Sequence, residues 1–119
     1  MNHLAGTFAQ RHLDAAGRIL QGQQLVPRSP AARTNQGEVA LCTAAAIAVA
    51  ATRERGGDCG RLAEQLAGPN GMEALYNVFH GLGWSRELCR RVQLINDGFE
   101  ESCRKERMLR LLAGKSALA

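Results

Sequence analysis

The sequence predicts an all-α protein, a compact bundle of five or six helices around a buried, Ala-rich central helix at about residues 38–55. Three observations lead there. Residues 4–21 carry an apolar stripe at helical spacing, residues 39–51 are apolar around the whole circumference, and no stretch alternates as a half-buried strand would. Aromatic residues make up only 4% of the chain, so Ala, Leu, Val and Ile must fill the core.

The elements follow in order. Residues 4–21 place Phe8, Leu13, Ala16, Ile19 and Leu20 on one helical face, with His12 in its middle, and Arg11, Asp14 and Arg18 on the other. Residues 22–36 read as a loop, because Pro27 and Pro30 remove backbone donors and disfavour helix before them. Residues 38–55 form the central helix. Arg53 and Arg55 suit the negative end of its dipole, and Gly56-Gly57 stops it. Asp58 caps a short helix through Ala67. Asn70, with Glu73 three residues on, reads as a capping box that opens residues 71–82, where Leu75, Val78, Phe79 and Leu82 turn inward. Gly83 ends that helix and Ser85 caps the next, over residues 86–97, striped by Leu88, Val92 and Ile95. A short strand over residues 92–95 is the alternative, and Asn96-Asp97-Gly98 reads as a turn. The last helix spans about 100–113, with Met108, Leu111 and Leu112 inward and Arg107 and Arg110 outward, and residues 114–119 are expected to fray.

At 119 residues the chain is one domain's length, and the reading is a single helical domain over 1–119. Its composition excludes a disordered tail, a collagen-like chain and a multidomain enzyme. The net charge is +4, and 13 of its 15 cations are Arg. Residues 1–6 lack the basic and apolar stretches of a secretory signal, and the longest apolar run falls short of the roughly 20 residues that span a bilayer. A cytoplasmic location without a membrane partner is therefore expected. Cys42, Cys59, Cys89 and Cys103 contain no Cys-x-x-Cys pair, so they read as reduced thiols, with no metal and no cofactor expected.

Several constellations could carry chemistry. Cys42 sits near the start of the central helix, where the dipole stabilises a thiolate. The chain order Cys42, His80, then Asn96 or Asp97 can be written as that of a papain-like enzyme. His12 is the better-placed base, because His80 falls on the solvent side of its helix. The plainer reading makes Cys42 a small core residue and His12 a core histidine. Arg86, Arg90 and Arg91 on one helix and Arg107 and Arg110 on the next could grip phosphates. Glu87 and Glu106 interleave with them and point instead to a solvated face. A helix-turn-helix across residues 81–85 would make 86–97 its recognition helix. Trp84, the only Trp, reads as a packing anchor or an interface hot spot.

The N-terminal amphipathic helix, the motif Leu41-Cys42-Thr43-Ala44-Ala45-Ala46 and the late motif Leu94-Ile95-Asn96-Asp97 together resemble a family of small uncharacterised proteins common in actinobacteria and their phages. The resemblance spans most of residues 8–113. Where the family often has Trp before the Asn-Asp pair, this chain has Ile95. The family has no established activity, so the resemblance implies an all-α fold and transfers no catalytic residue.

Amphipathic helices without a coherent active site favour a non-enzymatic module acting through an unidentified protein partner or self-association as a dimer. A cysteine-dependent hydrolase or transferase using Cys42, and a nucleic-acid-binding protein using the arginine faces, are the two alternatives.

Overall fold

The computed structural model describes residues 8–98 and 104–114. Among the described residues the order is α1 (Gln10–Gln21), β1 (Ala31–Arg33), β2 (Val39–Leu41), α2 (Thr43–Glu54), α3 (Cys59–Leu66), α4 (Gly71–Gly81), α5 (Arg86–Gly98) and α6 (Arg104–Leu112). The result is a helical bundle with one small antiparallel hairpin.

Helix α2 is the centre, as its composition predicts. Every residue from Thr43 to Ala51 is buried. Its Ala side chains lose little entropy on burial and let neighbouring backbones come close. Helices α1, α3, α4 and α5 all pack against it, and α6 packs on α1. The bulk that α2 lacks comes from these neighbours, with Leu13, Leu20, Leu66, Leu75 and Phe79 all buried. Helices α1 and α6 also cap one another. Gln10 Nε2 donates to Leu112 O at 2.7 Å, and Lys105 Nζ donates to Gln21 O at 2.9 Å. Each helix thereby satisfies a carbonyl that the other's last turn leaves open.

Four local expectations need correction. The central helix starts at Thr43, not residue 38, because Val39–Leu41 pairs with Ala31–Arg33 across a turn closed at Thr34 and Gly37. Gly37 has φ +80, a left-handed conformation that glycine adopts without steric cost. Two short strands of three residues leave no alternation long enough to read from sequence. Asn96 and Asp97 do not form a turn but stay helical to Gly98. The Asn96 side chain is committed to distant partners, so it does not compete with its own helical backbone. Asn70 makes no side-chain cap, since its φ −108 and ψ 33 lie outside the extended region from which a cap folds back. Helix α1 begins at Gln10 with Phe8 and Ala9 outside it. The expectations for residues 4–7, 100–103 and 115–119 lie outside the described residues.

Other local signals behave as expected. Asp58 Oδ1 accepts from Arg61 N at 3.0 Å, and Ser85 Oγ accepts from Leu88 N at 3.0 Å. Helix α4 closes on Gly83, at φ +80, with Gly83 N donating to His80 O and Trp84 N to Phe79 O. This is a Schellman stop, and it comes with its usual apolar contact: the Trp84 and Phe79 rings meet edge-on at 5.1 Å. The stop thus pins Trp84 beside Phe8 and Phe79.

Gly71 has no room for a side chain. A Cβ there would lie 2.2 Å from Leu66 O. Gly71→Ala should therefore force α3 and α4 apart and cost about 2 kcal/mol, read as a lower urea midpoint with an unchanged denaturant slope.

Candidate functional site

The candidate catalytic residues lie at the two ends of α2, Cys42, Asn96 and Asp97 at one and His12 and His80 towards the other. At its N-terminal end Cys42 is the N-cap, not a first-turn residue, and its Sγ accepts from Ala45 N at 3.4 Å. Beside it, Asn96 is fully buried and uses its whole hydrogen-bonding capacity. Its Oδ1 accepts from Thr43 N at 3.1 Å and Thr43 Oγ1 at 2.6 Å. Its Nδ2 donates to Val26 O and to Asp97 Oδ1, both at 3.0 Å. Asp97 Oδ1 also accepts from Arg28 N at 2.9 Å, holding Arg28 at φ 61.

The structure therefore brings Cys42, Asn96 and Asp97 together but closes them off. Cys42 is fully buried, and burial pushes its thiol up to about 12 against the opposing Ala45 hydrogen bond. Cys89, also buried, is raised to about 11 by the same cause, with Arg86 opposing. A thiol held so far above neutrality supplies almost no thiolate, which is the species a nucleophile needs. Cys42, Cys59 and Cys89 are all free thiols.

Both proposed bases lie at the other end of α2. His12 Nε2 pairs with Glu54 Oε2, in the last turn of α2. Residues 42 and 54 are about 18 Å apart at 1.5 Å per residue. His80 is exposed in the last turn of α4, next to Gly81, whose carbonyl accepts from Arg55 Nη1 at 3.4 Å. The papain-like order is thus present in the chain but not in space.

This C-terminal end forms an open hollow of about 430 Å³. Glu54 lies on it, with Oε1 accepting from Arg11 Nε at 2.6 Å and Oε2 taken by His12. The Arg11 hydrogen bond, seconded by His12, holds the Glu54 carboxyl below its usual range. Trp84 stands against His12, ring centroids 6.1 Å apart and edge-on. The His12 side chain is 16% exposed, and its Nδ1 is buried with no hydrogen-bond partner. Glu54, Arg11 and Arg55 were not singled out from sequence. Nothing along the chain joins residue 11 to 54, and a charged residue in the last turn of a helix looks like any other.

The arginine faces are divided. Arg86, Arg90 and Arg91 are exposed on α5, which packs on α2 and α4, whereas Arg107 and Arg110 are exposed on α6, which packs on α1. Arg86 is engaged, its guanidinium 4.2 Å over the Tyr76 ring. Among the described residues no group of three His, Cys, Asp or Glu side chains is placed to hold a metal ion, and no helix is long and apolar enough to cross a membrane. Comparison of the chain with protein-family models, with curated protein sequences and with solved structures finds no match in any of the three.

Two outcomes follow from the sealed end. Asn96→Ala leaves Thr43 N and Val26 O buried and unpaired, so it should cost about 2–4 kcal/mol, measured by urea unfolding. The thiols predict an alkaline loss of stability. Each folded thiol binds its proton more tightly than the unfolded one, so this contribution is complete below pH 9 and is lost as pH rises towards 11 for Cys89 and 12 for Cys42. Unfolding midpoints between pH 8 and pH 11 should fall less steeply for Cys89→Ala and Cys42→Ser than for the parent.

Proposed function

We propose that the protein is a non-enzymatic helical module that docks an acidic protein partner on the outer face of α5. The observation that carries this reading is Leu94. It is 72% exposed, while every other large apolar side chain among the described residues is buried or half-buried. Arg90 and Arg91, four and three residues earlier on the same helix, lie exposed beside it. An apolar residue flanked by arginines is the arrangement of a small interface centre with a charged rim. Like charge disfavours a second copy on this face, because a two-fold pairing through Leu94 would set Arg90 and Arg91 against their own counterparts.

The division of the cations between α5 and α6 favours protein over nucleic acid, since phosphate binding draws on many cations along one face. The closed state of Cys42 and the distance to His12 favour a non-enzymatic role. A cytoplasmic setting is consistent with free thiols. We read the two motifs behind the actinobacterial resemblance as a structural signature, because Thr43 and Asn96 from those motifs bond each other.

A photo-crosslinker at position 94 tests the reading in extract of the source cells, with Arg90→Glu/Arg91→Glu as control. One protein adduct, lost in the control and insensitive to nuclease, is expected. An adduct to nucleic acid, an adduct to a second copy, or no adduct at all would each overturn it.

A further inference from the structure

The hollow at the C-terminal end of α2 lies on a different surface from the α5 face and does not depend on that reading. We propose that it is a binding site for a small organic anion, a carboxylate or phosphate head on a flat apolar body. The argument starts from its walls. Ala51, Leu82 and the half-buried Trp84 give an apolar side, and Arg11, His12, Glu54 and Arg55 give a polar rim. At about 430 Å³ the hollow lies within the range of small-molecule sites.

The charge on the rim decides the sign of the ligand. Among the described residues Glu54 is the single acid there, and its oxygens are bonded by Arg11 and by His12. Two guanidinium groups face one carboxylate, leaving an excess of one positive charge before His12 is counted. Arg11 spends its Nε on Glu54, and among the described residues its two terminal nitrogens make no further hydrogen bond. Arg55 uses Nη1 on Gly81 O, which leaves Nη2 available. These are planar donors of the kind that grip a carboxylate or phosphate in pairs.

The backbone acts in both directions. Helix α2 ends here, and its carbonyls disfavour an anion. Helix α1 begins at the same rim, with Ala9 as an N-cap that offers no side-chain acceptor, so its positive end opposes that effect. The two helix ends roughly cancel, and the arginines decide. The apolar wall selects for a flat body. Trp84 already stacks edge-on with Phe8, Phe79 and His12, and a ring sliding into the hollow would extend that cluster.

Trp84 is the only Trp in the chain, so its emission reports on the site directly. Benzoate, phenyl phosphate, benzamide and inorganic phosphate are titrated against the intact protein, with excitation at the red edge of the indole band. Benzoate or phenyl phosphate should give a saturable change, and benzamide and inorganic phosphate should each bind about tenfold more weakly or worse. Arg55→Gln, an exposed substitution with little risk to folding, should weaken the anion about tenfold. Amide chemical shifts should move at residues 9–12, 51–55 and 82–84 and not along α5. Absence of saturation by either aromatic anion, equal binding of benzamide, an unchanged affinity in Arg55→Gln, or shifts centred elsewhere would each overturn the proposal.

Discussion

The start of α2 depends on one side chain from fifty residues away. Asn96 reaches across from α5 to take both the amide and the hydroxyl of Thr43, and with its other end ties down the carbonyl of Val26. A buried amide is costly unless all its hydrogen bonds are made, and here all four are. This single group joins the central helix, the loop before the hairpin and α5. Asp97 extends the tie to Arg28, whose left-handed backbone would otherwise be a strained conformation for a side-chain-bearing residue.

The same end of α2 explains why the Cys42 thiol is quiet. The N-terminal end of a helix favours an anion, but the dipole acts on a group that must also be desolvated. Around Cys42, burial wins and the thiol is pushed up to about 12. At the opposite end of α2 the balance is reversed. Glu54 is exposed and paired with Arg11 and His12, so its charge is kept. The central helix therefore has one end devoted to holding the fold and another where charged and aromatic groups meet solvent. Chemistry that looks suggestive along the chain is placed by this division: the Cys42 thiol and the Asn96 amide are in the interior, and His12 and His80 are at the far end.

Much of the architecture was legible. The all-round apolar run of residues 39–51 reads as a buried helix, which it is from Thr43 onward while Val39–Leu41 is a strand, and Leu13, Ala16 and Leu20, like Met108, Leu111 and Leu112, sit inward as their spacing requires. Asp58 and Ser85 cap because a short polar side chain before a helical stripe has few other uses. What escaped were features whose partners are remote. The hairpin at 31–41 is too short to show a period, and a cysteine N-cap is not among the residues that normally announce a helix start. Asn96 reads locally as a turn residue, and only Thr43 and Val26 make it a helical one.

The sequence by itself determined the helical class, the identity of the central helix and the inward face of most others, because apolar periodicity is a local property and burial follows from it. The tertiary structure decided where α2 begins, that Cys42 is sealed and far from either described histidine, and that Arg11, His12, Glu54, Arg55 and Trp84 share one hollow. Those outcomes rest on contacts between residues tens of positions apart, and on desolvation that depends on everything packed around a group. Neither is encoded in the spacing of residues along the chain.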